Sequence, residues 1–584
     1  MDTPHSSFFK EAKKFLGQDH NLLFLAGVIG FLAGAAATLF RWMIQLFDWG
    51  LSEQGLGLLG IPSSGHGYLL WMMPMLGGLM IGIYVHFFPD AVKENGVHKV
   101  IQAVAINNGK IRKRTLWHTA FTSSLTIGSG GSAGREGPTV QIGAAIGSAL
   151  AQMFHLSTER VQVLVGCGAS AGIAASFNAP LAGVLFAMEI ILGEFTVHTF
   201  SPIVVASVIG TVTGRALEGN EVTFQIPIHE LVHSGEIVFY LVMGILCGLM
   251  AWVFTLFYFF SSRFFENHVK APQWSKPAIG GLVVGLISIL FPQILGNGYE
   301  AMEDALNGNL FWGMAFGLIF LKIIATGITI GSGGLGGVFA PSLFVGAMVG
   351  AAFGHGVHTL FPEMTASAET YAVVGMGAVA GAVMQAPLTN ILMLFEMTND
   401  YTIILPIMIA CIAATYTFRS FNKNSIYIQY LLNKGINLRH GRVVSILSSM
   451  HVRDVMNKDV VTIPEEMPFR SILNTVSYSK NFYYPVVDQQ GDMIGILSFS
   501  DIREAAFEGD LEHLVVASDI ATKNVESLRP NHNLNEAMET FNQLDLDQLP
   551  VVKVGDPKKV IGLVSRQDVL AMYNREILMH KVED

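Results

Sequence analysis

The sequence is short of charge. Of its 584 residues only 14% are Asp, Glu, Lys or Arg, where soluble domains carry about 25%. By contrast 51% are hydrophobic and the mean hydropathy is +0.47. The shortage is also local: segments 21–40, 161–188, 237–262 and 323–362 contain none of these four residue types. An apolar run of roughly 18 residues or more reads as a membrane span. The recurrence of such runs over the first three quarters of the chain excludes an ordinary soluble core. Cysteine is also scarce. Cys167, Cys247 and Cys411 all lie in apolar segments and read as small packing residues, which excludes a disulfide or cysteine-based metal framework. No small-residue cleavage site follows the first apolar run, which Lys10, Lys13 and Lys14 precede. That pattern predicts a retained first helix with a cytosolic N-terminus. The net charge of −10 sits largely in the C-terminal tail and identifies no partner.

Composition changes near Arg419, from Gly-, Ala- and Phe-rich segments to a polar tail with strand-like runs at 460–463 and 484–487. The expected division is a cytosolic segment at 1–19, a membrane domain at 20–435, a connector at 436–450 and a soluble part from 451 to 577. Both large parts repeat internally. GSGGSAGREGP at 128–138 matches GSGGLGGVFAP at 331–341 with an offset of 203, and the sequences after the two prolines keep pace. Ala179-Pro180-Leu181 and Glu189 match Ala386-Pro387-Leu388 and Glu396 at an offset of 207. Two halves with Gly/Pro-broken apolar segments at equivalent places point to a transporter whose broken helices meet at an ion site near the bilayer midplane. In the tail, Pro485-Val486-Val487 pairs with Pro550-Val551-Val552, and Ser498…Asp501 with Ser565…Asp568.

Glycine-rich segments that open into a helix leave backbone N–H groups unpaired at its N-terminus. Those amides and the helix dipole attract an anion without a full positive charge. Residues 134–138 and 337–341 are two such openings, which makes Gly134, Arg135, Gly137, Gly337, Val338, Phe339 and Ala340 candidate anion-site residues. Glycine also serves close helix packing in lipid, but two matched openings favour the ion site. Glu136 sharpens the reading, because a carboxylate within the membrane costs about 2.5–3.5 kcal/mol on insertion scales and is a functional candidate by default. Neutralisation by Arg135 is the alternative reading. The equivalent position in the second half is Phe339, so only one half carries the acid. An ionised Glu136 can occupy the site as a tethered anion, and protonation would release it, coupling opening to pH. Gly331, Gly333 and Gly336 spell GxGxxG, but a dinucleotide site needs a preceding strand and a following acid; the next 26 residues contain no acid. His355 and His358 have no evident third ligand, so no metal site is expected.

At these residues the sequence resembles the CLC family of chloride channels and proton-coupled chloride antiporters. The resemblance rests on GREGPTVQIG at 134–143, FNAPLAGVLFAME at 177–189, GGVFAP at 336–341 and FEMTNDYTIILP at 395–406. It implies a polytopic α-helical membrane protein with an inverted repeat and broken helices, assembled as a homodimer in lipid with one pore per subunit. It assigns Glu136 as the gating and proton-accepting glutamate, the Val338 and Phe339 amides to the central anion site, and the Tyr427 hydroxyl to the same ion. Two positions depart from the family. ENGVH stands where the family has GSGIP, so Asn95 replaces the anion-binding serine; its amide can still donate, and the choice among chloride, nitrate and other anions is left open. Ile190, which cannot hold a proton, stands at the internal proton-relay position beside Glu189. On this ground the sequence favours channel-like or weakly coupled conduction over proton-coupled chloride antiport. Glu194 could restore a relay if the helix of Ile190 continues that far.

The tail resembles a pair of CBS modules, α/β units that often bind adenosine nucleotides, at 451–508 and 515–577. The resemblance places Ser498 with Asp501 and Ser565 with Asp568 at the ribose positions; helix capping is the other reading of the same residues. The combined expectation is a chloride transport protein of an inner or plasma membrane, with both termini cytosolic and a regulatory CBS pair for ATP, ADP or AMP. It requires no cofactor and has no nucleic-acid partner. A CBS-containing cation transporter would show intramembrane acidic clusters, and a membrane enzyme using Glu136 as base would need a nucleophile or metal set nearby. Neither is present in the sequence.

Overall fold

The computed structural model describes residues 19–51, 71–89, 96–220, 233, 235–436, 447, 450–477, 479, 481–507, 515–523 and 525–582. The chain forms two compact units, residues 1–433 and 434–584.

The first unit is helical. Its first half runs α1 (Asp19–Leu51), α2 (Met72–Phe87), α3 (Val97–Ala105), α4 (Arg114–Gly128), α5 (Glu136–Met153), α6 (Thr158–Phe177), α7 (Pro180–Phe186) and α8 (Val197–Glu218). Its second half runs α9 (Glu236–Asn267), α10 (Lys276–Ser288), α11 (Tyr299–Leu306), α12 (Trp312–Gly331), α13 (Phe339–Leu360), α14 (Ala368–Met384), α15 (Pro387–Thr398), α16 (Ile404–Phe421) and α17 (Ile426–Asn433). Among the described residues seven helices are long and apolar enough to cross a membrane. The outer helices expose Phe24, Phe31, Trp42, Leu241, Ile245 and Phe260. Such apolar surface is a liability in water and the expected covering in lipid.

The repeat is visible in how each helix stops and starts. The chain reverses after α4 at Gly130 (φ 88°) and after α12 at Gly333 (φ 110°), a backbone region that L side chains rarely enter. Asn178 and Gln385 end α6 and α14 in the left-handed conformation. In each half Ala-Pro then starts the next helix, with Pro at its first position, where a missing N–H costs nothing. Inside each half two helices pack backbone on backbone. A Cβ at Gly143 would strike the Gly168 carbonyl, and one at Gly346 would strike that of Gly375. The small residues therefore serve packing as well as any ion site.

The second unit contains two sheets. β1 (Ile463–Pro464) pairs parallel with β2 (Tyr483–Val487), which pairs antiparallel with β3 (Met493–Ser498). β4 (Gln548–Lys553) pairs antiparallel with β5 (Asp556–Ser565). Among the described residues its helices include α18 (Phe469–Ser477), α19 (Phe499–Phe507), α20 (Ala517–Ile520), α21 (Leu534–Leu544) and α22 (Arg566–Val582). Each sheet has its own core, around Phe469, Ile472 and Tyr484 in one case and Phe541, Leu549 and Val564 in the other. Pro485 faces Ile496 as Pro550 faces Leu563, so the two modules repeat in register.

Candidate functional site

The two glycine-rich openings meet. The Gly134 N–H donates to the Gly337 carbonyl and the Gly337 N–H to the Gly134 carbonyl, both at 2.7 Å. A reciprocal pair of this kind relates the two loops by a local two-fold. The surrounding side chains follow the same exchange. Thr126 Oγ1 accepts from the Leu335 N–H and Thr329 Oγ1 from the Ser132 N–H, each at 3.1 Å. Every one of these residues is buried, so the loops that carry the site are fixed by bonds that water cannot contest.

The α5 and α13 N-termini therefore lie side by side, and the first-turn amides of each lack intrahelical acceptors. Glu136, first residue of α5, sits between them with 1% of its surface exposed. One carboxylate oxygen accepts from the Ala340 N–H at 3.3 Å, across to α13. The other accepts from the Tyr299 hydroxyl at 2.7 Å. The carboxylate thus takes up donors that a free anion would use. Gly137 lies against Gly337, where even a Cβ would be in tight contact. The Phe339 ring packs edge-on against Phe177 at 5.5 Å. Tyr427, on α17, is buried.

Among the described residues Arg135 forms no ion pair with Glu136. Its guanidinium donates to the Ser176 carbonyl at 3.2 Å and lies 5.1 Å from the Tyr299 ring centroid and 6.0 Å from that of Phe177.

Two residues of this constellation escaped the sequence reading. Tyr299 opens α11, 163 residues from Glu136, and nothing in its surroundings marks it as a ligand of a carboxylate. Lys322 is fully buried on α12 and donates to the Ile294 and Gly296 carbonyls, both at 2.9 Å, with the Phe344 ring centroid 4.9 Å away. It ties down the loop that delivers Tyr299. A lone lysine in an apolar helix was the signal that could have revealed it.

Glu189 lies elsewhere and is committed. It accepts from the Thr389 N–H at 2.8 Å, the Thr389 hydroxyl at 2.6 Å and the Leu388 N–H at 3.4 Å, at the start of α15. Glu396 returns the arrangement by accepting from the Leu181 and Ala182 N–H groups at 2.9 and 2.8 Å, at the start of α7. Ile190 falls in a π-helical segment, Ala187–Leu192, that ends at Gly193 in the left-handed conformation. The helix therefore stops short of the exposed Glu194, which does not stack over Ile190 as a continuing helix would place it. Asn95, residues 1–18 and most of the connector at 436–450 lie outside the described residues. The GxGxxG glycines follow helix α12 rather than a strand. His355 stacks on Trp312 and the His358 Nδ1 lies 3.2 Å from Thr365, near the end of α13.

In the second unit Asp501 accepts from the Ser498 hydroxyl at 2.7 Å and its N–H at 2.8 Å, and the Asp501 N–H donates back to Ser498 Oγ at 3.2 Å. Asp568 and Ser565 repeat this at 2.5, 3.2 and 3.0 Å. Both pairs are reciprocal helix caps.

Residues 76–419 match the family described as voltage gated chloride channel, and residues 452–508 and 517–575 match the CBS domain. A putative chloride channel protein ClcB-like from Ralstonia nicotianae is 35% identical over 70% of this chain and 96% of its own length. The H(+)/Cl(-) exchange transporter ClcA of Vibrio campbellii is 31% identical over 70% of this chain and 89% of its own. The solved structure of a slow cyanobacterial Cl-/H+ antiporter superposes with a TM-score of 0.65 at 26% identity, covering 71% of this chain and 97% of that one. With its paired helix openings, the glutamate buried between them and these relatives, the chain belongs to the voltage gated chloride channel family, the CLC proteins.

Proposed function

We propose that the protein exchanges chloride for protons across a membrane, with Glu136 as both the gate and the proton acceptor. The observation that carries this reading is the seat of the Glu136 carboxylate between the α5 and α13 N-termini, held by Tyr299 and Ala340. Ionised, it fills the anion's place; protonated, it loses most of its attraction to the amide dipoles and yields to chloride. One group then serves both ions in turn. The relatives named as H(+)/Cl(-) exchangers and the antiporter structure support exchange over the channel-like conduction that Ile190 favoured in the sequence. With Ile190 apolar and Glu189 engaged at α15, the proton reaches Glu136 from the other side along water rather than through a relay carboxylate. Val338, Phe339, Ala340 and Tyr427 are the residues assigned to the transported ion.

The same reading includes a homodimer, cytosolic termini and a CBS pair that takes an adenosine nucleotide against Asp501 and Asp568. The test of exchange is pH recording on proteoliposomes under an outward chloride gradient, with valinomycin setting the voltage. Uphill proton movement that Glu136→Gln abolishes is expected. Chloride flux without proton movement would make the protein a conductive pathway instead.

A further inference from the structure

Beside the gate lies a cavity of about 250 Å³, large enough for a small anion and part of its hydration shell. Its wall includes Arg41, Arg135, Arg215, Glu218, Asn178 and Tyr299, so it carries three guanidinium groups against one carboxylate. The carboxylate is already taken: Glu218 ion-pairs with Arg41, which also donates to the Ser176 carbonyl at 2.8 Å. Arg135 and Arg215 form no ion pair among the described residues. Arg215 donates to Asn178 Oδ1 at 2.5 Å and is otherwise exposed. The buried Nε of Arg135 has no acceptor. An unpartnered buried guanidinium nitrogen is costly and asks for an anion or water. The Tyr299 that lines this cavity is the same residue whose hydroxyl holds Glu136.

We propose that this cavity is a second anion site, on one side of the gate, where a small monovalent anion is held between Arg135 and Arg215 before Glu136 moves aside. It differs from the pore site in chemistry, being built from side-chain guanidiniums instead of helix-end amides. Glu218 is its built-in competitor. Pairing with Arg41 keeps the net attraction moderate, so that the anion can leave again. A cleft of one sign of charge raises the local concentration of its counter-ion and its rate of arrival. The proposal rests on the anion-transport reading above.

Two measurements test it. Initial chloride flux into proteoliposomes of the full chain is measured against chloride concentration for the wild type, Arg215→Gln and Glu218→Gln. The half-saturating concentration is expected to rise in Arg215→Gln and fall in Glu218→Gln, each by roughly threefold, as suits a partly exposed charge. Raising ionic strength with gluconate should shrink both differences. Unchanged values, or shifts in the same direction, would overturn the site. Separately, bromide-soaked crystals of the full chain should give an anomalous peak between Arg135 and Arg215 that Arg215→Gln removes. A cavity without bromide overturns the proposal, whereas a wild type that binds bromide there but carries no chloride overturns the transport reading alone.

Discussion

A carboxylate buried in a membrane domain persists only when its bonds offset its desolvation, and Glu136 has few. It accepts one bond from a backbone amide at 3.3 Å and one from the Tyr299 hydroxyl at 2.7 Å. If Glu136 is the gate proposed above, the shorter bond makes Tyr299 its latch, and Tyr299→Phe is the decisive residue-scale change. A hydrogen bond to a charged group contributes about 1.5–3 kcal/mol. Removing it should raise chloride flux at neutral pH, where the carboxylate competes with chloride, by about tenfold. At acid pH, where the carboxyl is protonated, the variant and the wild type should converge. Efflux from liposomes at two pH values reads both parts. Equal flux at neutral pH would mean that the hydroxyl does not hold the gate. Glu136 was legible in the sequence because an acid among glycines and apolar residues has few ordinary explanations. Tyr299 was not, because its significance lies in a contact across 163 residues that no periodicity reports.

At the scale of helices, the arrangement is two copies of one device. The repeat read at offsets of 203 and 207 predicted matched openings, and they are joined by the Gly134–Gly337 pair. The role of the two glutamates was the harder part. Glu189 and Glu396 were visible as equivalent residues, but each binds the opposite half, at the N-terminus of α15 or α7. An exchange of this kind cannot be seen in one half alone. The dipole at a helix start favours a negative charge by about 0.3–1 kcal/mol, so Glu189 acts here as a brace between halves. Glu189→Gln should therefore lower thermal stability in detergent, by about 1 kcal/mol, and leave the number of protons moved per chloride unchanged. A fall in that ratio at unaltered stability would instead place Glu189 on the proton route. The π-helical turn at Ala187–Leu192 was likewise beyond the sequence. An apolar run of that length gives no sign of whether its hydrogen bonds close at four residues or five.

At the scale of the whole chain, composition turns polar near Arg419 while the expected membrane domain runs on to 435; the compact units divide at 433/434. Between Arg419 and that boundary lies α17, a short helix with Ile426, Tyr427 and Leu431 buried. Among the described residues the first unit has its own core and holds Tyr299 and Ala340, the partners of Glu136. The Ralstonia relative, matched over 96% of its length, corresponds to only 70% of this chain, so a family member of that size stands without the tail. A chain ending at residue 433 should therefore insert in membranes and carry chloride, with Glu136→Gln abolishing its pH dependence as in the full protein. The tail should then account for any response to nucleotide. The caps at Ser498–Asp501 and Ser565–Asp568 occupy one carboxylate oxygen of each aspartate, leaving the second oxygen for ribose hydroxyls through charge-assisted bonds. Calorimetry on residues 451–584 should detect an adenosine nucleotide and lose it in the Asp501→Ala, Asp568→Ala double variant. In flux assays, nucleotide should change the rate of the full chain and not of the 1–433 chain. A truncated chain that inserts but carries no chloride would make the tail part of the transport machinery. A nucleotide response that survives truncation would move the sensor into the membrane unit.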